Sequence, residues 1–363
     1  MSGLDPYRAK RDPARTPEPL PEGEFEWGRQ VDHTGDEQAG RGDRFVVQEH
    51  HATALHWDVR LERDDVLVSW AVPKGFPLDP ATNHLAKQTE DHPMEYARFE
   101  GKIPKGEYGG GAVTVWDHGR YQLEKWRRSK VQFVLSGQRV SGRYIFFRTN
   151  DRDWMLHRMD PRPEGWAPLP QDLAPMLPTT GRRLPRTPEP WAFEVDWGGF
   201  RVLVAAYGGR LTVSSDGANV LASFPELRAL GLQLGSRQVL LDGELVVLDA
   251  AGRPDADLLR QRAGAAKPGA RLLREAPVQL MVTDVLHAEG SSLLEAAYDD
   301  RRTVLEGLAV GGSHWRVPPS FPGAGQSVLD AAAQQGLPGV LAKRRTSPYR
   351  PGVVSDDWRA LPA

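Results

Sequence analysis

The chain has 363 residues, of which 40% are hydrophobic and 26% are charged, and it contains 11 tryptophans and no cysteine. The length favours about two globular domains, and the amount of apolar material excludes a wholly disordered protein. The lack of cysteine excludes disulfides, zinc–thiolate sites and thiol nucleophiles. Because we find neither a run of ~18 apolar residues nor an apolar leader, we expect no transmembrane helix and no signal peptide, and a cytoplasmic protein.

The first 160 residues divide into two parts. Residues 1–40 are rich in Pro, Gly, Glu and Arg without periodicity, which predicts a flexible N-terminal arm. Short β-type runs follow at 45–48, 66–70, 112–116 and 143–147, with breaks predicted at Gly109-Gly110-Gly111 and at His118-Gly119. Their close spacing predicts a small β-barrel or sandwich over residues 41–160.

Charge is unevenly distributed along the chain. The formal net charge is only −2, yet residues 101–160 carry 12 Lys or Arg against 6 Asp or Glu. The stretch Lys125-Trp126-Arg127-Arg128 belongs to this region. It is compatible with contact to a phosphate backbone and equally with a solvated basic face.

The second half of the chain has a different pattern. Nine prolines between residues 161 and 190 predict a semi-rigid linker. From 191 to 363, strands predicted at 200–206, 210–215 and 239–248 alternate with helices predicted at 294–307 and 325–335. The fold class is therefore mixed, with a β-barrel followed by an α+β domain.

The densest cluster of functional side chains runs from Gln48 to Glu62. Its strict alternation from residue 56 gives two faces, which are Trp57, Val59 and Leu61 on one and His56, Asp58, Arg60 and Glu62 on the other. Because side chains at i and i+2 of a strand lie roughly 7 Å apart, His56 and Asp58 can reach one divalent ion and Arg60 an anion bound to it. His50 is placed to complete a His₂Asp set, which suits Mn²⁺, Zn²⁺ or Fe²⁺ and phosphoryl chemistry. The alternative is a strand whose polar face contacts only water.

Further segments carry a family resemblance. These are Ser69-Trp70-Ala71-Val72-Pro73-Lys74-Gly75, Glu90-Asp91-His92-Pro93 and Phe99-Glu100-Gly101 through Tyr108-Gly109. By themselves, His92 reads as a turn residue and Tyr96 as a core aromatic. Together with Phe45 to Glu62, the segments resemble the 3′-phosphoesterase domain of bacterial DNA ligase D, over residues 44 to about 160. The resemblance implies a small β-barrel that uses Mn²⁺ to remove 3′-terminal ribonucleosides and then the 3′-phosphate in nonhomologous end joining.

The resemblance also implies site residues. They are the metal ligands His50, His56 and Asp58, the phosphate contact Arg60, His92 as a transition-state stabiliser or acid, the active-site tyrosine Tyr96, and the supporting residues Glu62 and Lys74. One position departs from the pattern, because His84 stands where the best-known members have an active-site arginine. A neutral imidazole supplies less phosphate charge than a guanidinium, so we expect the monoesterase step to be the weaker one.

Residues 191–358 resemble the nucleotidyltransferase domain of ATP-dependent DNA ligases. The matching pieces include Trp191-Ala192-Phe193-Glu194, Leu241-Asp242-Gly243-Glu244 and Gly339-Val340-Leu341-Ala342-Lys343. That family's first motif reads Lys-x-Asp-Gly, and its lysine attacks ATP. Here the positions read Asp196-Trp197-Gly198-Gly199, and a carboxylate cannot form the lysyl-adenylate.

Two further features favour an inactive ligase domain. Pro338 stands where an acidic residue is expected, and we expect no OB fold after residue 363, where a ligase would continue into one. We therefore predict that ligase activity is absent. Glu244 and Lys343 are compatible with an inherited fold or with residual nucleotide binding.

The leading interpretation is a metal-dependent 3′-end-processing phosphoesterase whose second domain binds DNA or a partner. The alternatives are a non-catalytic end-joining scaffold, which His84 favours, and an ATP-dependent DNA ligase, which Asp196 disfavours. Expected partners are DNA 3′ ends, primer–template duplexes ending in a 3′-ribonucleotide or 3′-phosphate, and end-joining proteins such as Ku, a ligase or a polymerase. We expect nucleoid association in a bacterial cytoplasm and no membrane partner.

Overall fold

The computed structural model describes residues 4–20 and 42–363 and divides the chain into two units, Met1–Glu164 and Gly165–Ala363. The first unit contains a short helix, a 3₁₀ turn and nine strands. These are α1 (Asp5–Arg8), β1 (Arg44–His51), β2 (Leu55–Arg63), β3 (Val66–Val72), β4 (Asn83–Gln88), the turn Met94–Arg98, β5 (Gly101–Ile103), β6 (Gly111–Arg127), β7 (Lys130–Gly137), β8 (Ser141–Arg148) and β9 (Asp153–Arg158).

Eight of these strands close into a barrel. Their order is β1-β2-β3-β4-β9-β8-β7-β6, an antiparallel pairing of β1 with β6 closes the ring, and β5 extends β6. The alternation of β2 directs Trp57, Val59 and Leu61 into the barrel core, where all three are fully buried. The barrel and the direction of these side chains confirm the prediction from the sequence, and the polar face of β2 lies outside the barrel.

The outer face of β1 to β3 is covered by other parts of the first unit. Tyr7, Met94 and Tyr96 pack with Val46 and Leu67 into a second apolar cluster. The prediction of a flexible arm was therefore wrong for residues 4–20, which we call the N-terminal strap, because Tyr7 has no exposed surface. Residues 21–40 of the predicted arm lie outside the described residues.

The break predicted at His118-Gly119 is also wrong, since both residues lie inside β6. A Cβ atom at Gly119 would stand 2.2 Å from the backbone oxygen of Ser136 and 3.0 Å from the ring of Phe45. The glycine is required by the close approach of β1 and β7 to β6, so it permits the strand to continue where sequence reasoning saw a turn.

The second unit has two sheets and five helices. Its elements are β10 (Leu177–Thr180), β11 (Trp191–Asp196), β12 (Phe200–Tyr207), β13 (Arg210–Ser215), β14 (Ala218–Asn219), the 3₁₀ turn Pro225–Leu227, α2 (Arg228–Leu234), β15 (Val239–Val247), α3 (Ala256–Gly264), α4 (Ala270–Glu275), β16 (Val278–Ala288), β17 (Ser291–Ser292), α5 (Tyr298–Gly307), β18 (Trp315–Arg316), β19 (Phe321–Pro322), α6 (Gly325–Gln335), β20 (Gly339–Arg344) and β21 (Val354–Pro362). The predicted strands and helices are all present, although α5 begins at Tyr298 rather than at residue 294.

One sheet has the order β10-β21-β20-β11-β19, and the other β14-β13-β12-β15-β16-β17 with β18 beside β16. Strand β10 pairs in parallel with β21, and Met176 before it has no exposed surface. The linker predicted for residues 161–190 is therefore part of the second unit from residue 165 onward. Every helix among the described residues is too short or too polar to cross a membrane.

Candidate metal centre and active site

The three predicted metal ligands meet on the outside of the barrel. His50 lies near the end of β1 and is paired directly with His56 at the start of β2, while Asp58 follows two residues later. One ligand atom from each of the three lies within 4.8 Å of the others. His56 is the most accessible, with 20% of its side chain exposed against 7% for His50 and 9% for Asp58.

Two backbone carbonyls orient the imidazoles toward a common point. His50 donates through Nε2 to the Gly109 oxygen at 2.8 Å, and His56 donates through Nδ1 to the Ala54 oxygen at 3.0 Å. Each ring therefore directs its other nitrogen toward the Asp58 carboxylate, at 3.5 Å for His50 and 3.6 Å for His56. This arrangement fixes the tautomers, as carbonyl partners do for metal-binding histidines, and two nitrogens with a carboxylate fit Mn²⁺, Zn²⁺ or Fe²⁺.

Arg60 is held rigidly behind the carboxylate. Its guanidinium donates to Asp58 at 2.9 Å, to the Gln48 side-chain oxygen at 2.7 Å and to the Ser69 hydroxyl at 2.9 Å. Burial acts to raise the pKa of Asp58, but the opposing effect of its polar neighbours, led by the charge of Arg60, brings the pKa below its usual range. Asp58 is therefore ionised at neutral pH.

His92 and Tyr96 face this group from the 3₁₀ turn and the segment before it. His92 donates through Nδ1 to the backbone oxygen of Glu90 at 2.8 Å. Burial, with the nearby charges of Arg60 and Arg11, lowers the pKa of His92 well below its usual value, so its imidazole is neutral. The Arg60 guanidinium lies 4.7 Å from the centre of the Tyr96 ring, and burial raises the pKa of that phenol.

The N-terminal strap supplies part of the site wall. Arg11 forms ion pairs with Glu18 at 2.8 Å and with Glu90 at 3.1 Å, and the Tyr96 hydroxyl donates to Glu18 at 3.0 Å. Together these elements line a cavity of about 200 Å³. Its lining includes Arg11, Glu18, His50, His56, Asp58, Arg60, Glu90, His92, Tyr96 and Tyr108.

Sequence reasoning missed several of these residues. Arg11 and Glu18 lie in a proline-rich segment without periodicity, so no pattern indicated that they reach the site. Gln48 and Ser69 could have been identified from the same alternation of side chains that identified the cluster. Gln48 shares the face of His50 two residues away, and Ser69 is paired with Arg60 across β2 and β3.

Three predicted site residues do not line the cavity. Glu62 shares the face of Asp58 but lies four residues farther along β2, about 13 Å by strand rise, where it accepts from the Arg44 backbone. Lys74 is exposed after β3. His84 is 4% exposed and donates through Nδ1 to the Gly75 oxygen at 2.7 Å, and burial lowers its pKa, with a further contribution from the charge of Lys74.

The replaced ligase-motif positions meet at one end of β11 in the second unit. Asp196 pairs with Gly339 of β20 and accepts from the Gly198 backbone at 2.9 Å. Gly198 has a φ of +58°, and a Cβ atom there would stand 3.0 Å from the Pro338 ring. Burial raises the pKa of Glu244, and the charge of Asp196 adds to this effect. The carboxyl groups of Asp196 and Glu244 therefore lie at this end of β11. Gly198 and Pro338, which stand where the ligase family has acidic residues, face each other.

Two cations of the second unit, one buried and one partly exposed, are paired with carboxylates within the chain. Lys343 has no exposed surface and stands 3.0 Å from Glu194, and Arg201 forms two hydrogen bonds with Asp242. The other lysine after residue 160, Lys267, is exposed in the bend between α3 and α4.

Comparison with known proteins identifies the two units. Residues 48–148 match the family described as DNA Ligase D 3′-phosphoesterase domain, and residues 173–360 match the ATP dependent DNA ligase domain. Because the second match spans more than half of the chain, the protein belongs to the ATP-dependent DNA ligase family. It carries a DNA ligase D 3′-phosphoesterase domain ahead of the ligase domain, as both resemblances in the sequence had indicated.

The relatives share both units. The chain is 40% identical over 367 residues to the multifunctional non-homologous end joining protein LigD of Mycolicibacterium smegmatis, covering 98% of this chain and 45% of that protein. It is 34% identical to the Pseudomonas aeruginosa protein of the same name, covering 99% of this chain and 47% of the relative. A solved mycobacterial DNA ligase D complexed with ATP and MES is 39% identical, with a TM-score of 0.47 and coverage of 52% of this chain and 60% of that one. The chain thus spans about half the length of the curated relatives.

Proposed function

We propose that the first unit is a metal-dependent 3′-phosphoesterase that removes a 3′-terminal ribonucleoside and then the 3′-phosphate from DNA ends during nonhomologous end joining. The observation that carries the proposal is the convergence of His50, His56 and Asp58 beside the buried Arg60 in one cavity. The relatives' printed names, which refer to non-homologous end joining, support this substrate class.

His50, His56 and Asp58 would hold the ion, and its charge would polarise a phosphoryl oxygen and favour deprotonation of water. Mn²⁺ is the ion we propose on the family resemblance. Arg60 is fixed by three acceptors, so it contacts the phosphate without reorganisation of its side chain.

His92 serves as the proton-carrying group in this proposal. Its imidazole is neutral because it is buried beside Arg60 and Arg11. A bound phosphate anion would counter those cations and raise the pKa of His92, so that protonation of the ring accompanies substrate binding. The Tyr96 phenol, kept protonated by its burial, donates its hydrogen bond to Glu18 at the cavity wall.

The test uses two primer–template duplexes, one with a single 3′-terminal ribonucleotide and one with a 3′-phosphate. Each is incubated with the full chain and Mn²⁺, with EDTA, and with the His56→Ala variant. We expect shortening and dephosphorylation that EDTA and the variant abolish. Absence of product with every divalent ion would reject the phosphoesterase and favour the end-joining scaffold, with DNA-end binding and no chemistry.

We further propose that the second unit does not ligate and contacts DNA or a partner protein instead. Asp196 offers no amine for adenylation, and its carboxylate repels a triphosphate. Lys343 is already paired with Glu194, which leaves it no free charge for phosphate. Incubation with labelled ATP should give no covalent adenylate, and a labelled chain would overturn the proposal.

A further inference from the structure

A second cavity, of about 440 Å³, adjoins the metal centre. It shares Ala52, His56 and Gly109 with the first cavity and is bounded by the turn 52–54 and the loop 105–110. We call it the His56 groove. Its volume lies within the roughly 300–1,000 Å³ typical of small-molecule sites, whereas the first cavity, at about 200 Å³, is below that range.

The two cavities differ in the exposure of the side chains that border them. The first is bounded by two strap residues and by Glu90, whose side chains are almost fully buried, with 4% exposure for Arg11, 1% for Glu18 and 3% for Glu90. The groove is bordered by exposed Thr53, Ala54 and Lys105, so it provides an open path from the metal to solvent.

The walls of the groove suit a sugar and a base. Gly106, Gly109 and Gly110 offer backbone without side chains, and a Cβ atom at Gly106 would find no other atom within 4 Å. The groove's one carboxylate, Glu107, is neutralised by Arg15 at 2.7 Å. Lys105 has no ion-pair partner among the described residues, so its charge is available to a phosphate.

The same walls hold the metal ligands. The Gly109 carbonyl orients His50, and the Ala54 carbonyl orients His56. Gly109 and Ala54 both line the groove. A ligand lying in the groove therefore contacts the backbone that positions the metal centre.

We propose that the His56 groove binds the 3′-terminal nucleoside that remains on the DNA strand after cleavage, with Lys105 contacting the next phosphate in the 5′ direction. This inference rests on the proposed phosphoesterase function. It predicts that the groove serves both reactions, because the retained nucleoside is present in the ribonucleoside-ended and in the phosphate-ended substrate.

The test compares Lys105→Gln and Lys105→Glu with a matched control, Lys102→Glu, an exposed lysine that lines neither cavity. With the full chain and Mn²⁺, Lys105→Gln should raise KM about fivefold for both DNA substrates and reduce the logarithmic salt slope by about 0.7. Lys105→Glu should raise KM further for both DNA substrates. The control should match the wild type, and hydrolysis of p-nitrophenyl phosphate, which has no nucleoside, should be unchanged in all variants.

A binding measurement separates this inference from the proposed function. Anisotropy of a labelled 3′-phosphate primer–template in EDTA requires no turnover, and its Kd should rise about fivefold in Lys105→Gln but not in Lys102→Glu. Unchanged KM and Kd would overturn the inference, as would equal loss on p-nitrophenyl phosphate. An effect confined to ribonucleoside removal would also overturn it, because the groove would then hold the departing nucleoside. If the wild type hydrolyses nothing, the phosphoesterase proposal fails and the Kd values still decide whether the groove binds the strand.

Discussion

The candidate site of the first unit and the ligase-motif region of the second differ in how their polar side chains are arranged. In the first, His50, His56 and Asp58 direct their unshared electron pairs toward one point beside a cavity. In the second, Lys343 is paired with Glu194 and Arg201 with Asp242. The comparison teaches that ligand atoms converging beside a cavity distinguish a candidate site from cations that are paired one to one within the chain.

The largest expected effect compares one buried arginine–aspartate pair from each unit. Arg60→Gln and Arg301→Gln each leave an aspartate buried without its cation, Asp58 or Asp284, so each should lower the free energy of unfolding by about 3–5 kcal/mol. Only Arg60→Gln should also abolish 3′-end processing by the molecules that remain folded. Thermal unfolding and turnover per folded molecule check this, and equal activity in both variants would remove Arg60 from the proposed site.

The strap gives the next largest effect. Arg11→Ala removes the cation that joins Glu18 to Glu90 at the cavity wall, and we expect turnover to fall about 10- to 100-fold, a loss of about 1.4–2.7 kcal/mol. Arg8→Ala, at an exposed strap residue that lines neither cavity, is the control and should have an effect below about threefold. Similar activity in wild type and Arg11→Ala would mean that the strap only covers the barrel.

A smaller effect concerns Asp91, which has no ion-pair partner among residues 4–20 and 42–363. Burial raises the pKa of Asp91 to about 6, and the charge of Glu90 contributes. A raised folded-state pKa means that ionised Asp91 destabilises the fold above pH 6, and that this cost disappears as pH falls toward the unfolded value near 4. After allowance for its partial exposure, Asp91→Asn should stabilise the protein by about 1 kcal/mol at pH 8 and not at pH 4. Melting curves at both pH values check the sign.

The smallest effect concerns His84. Its pKa is lowered by burial, so it carries no charge at neutral pH. His84→Arg should increase 3′-phosphate release about two- to fivefold relative to ribonucleoside removal, because a guanidinium would add charge near the metal end of the barrel. A constant ratio of the two rates, in a variant that melts normally, would show that His84 does not limit the monoesterase.

The sequence was informative where periodicity governs structure. Alternation in β2 predicted that Trp57, Val59 and Leu61 enter the core. It also predicted that His56, Asp58 and Arg60 face the site. The same alternation placed Glu62 on the correct face but not near the cavity, because a period of two specifies a face and not a position along the strand. The strap was unpredictable for another reason. Its proline-rich sequence is ordered by ion pairs and by the burial of Tyr7, and such contacts leave no pattern in one sequence.

The most direct test uses one reaction for both units. A nicked duplex with a 3′-terminal ribonucleotide and a 5′-phosphate across the nick is incubated with the full chain, Mn²⁺ and ATP, and both strands and the intact protein are analysed. We predict loss of the ribonucleoside and then of the phosphate, with no joined strand and no adenylated protein. A joined strand, or an unprocessed 3′ end, would contradict this assignment of the two units.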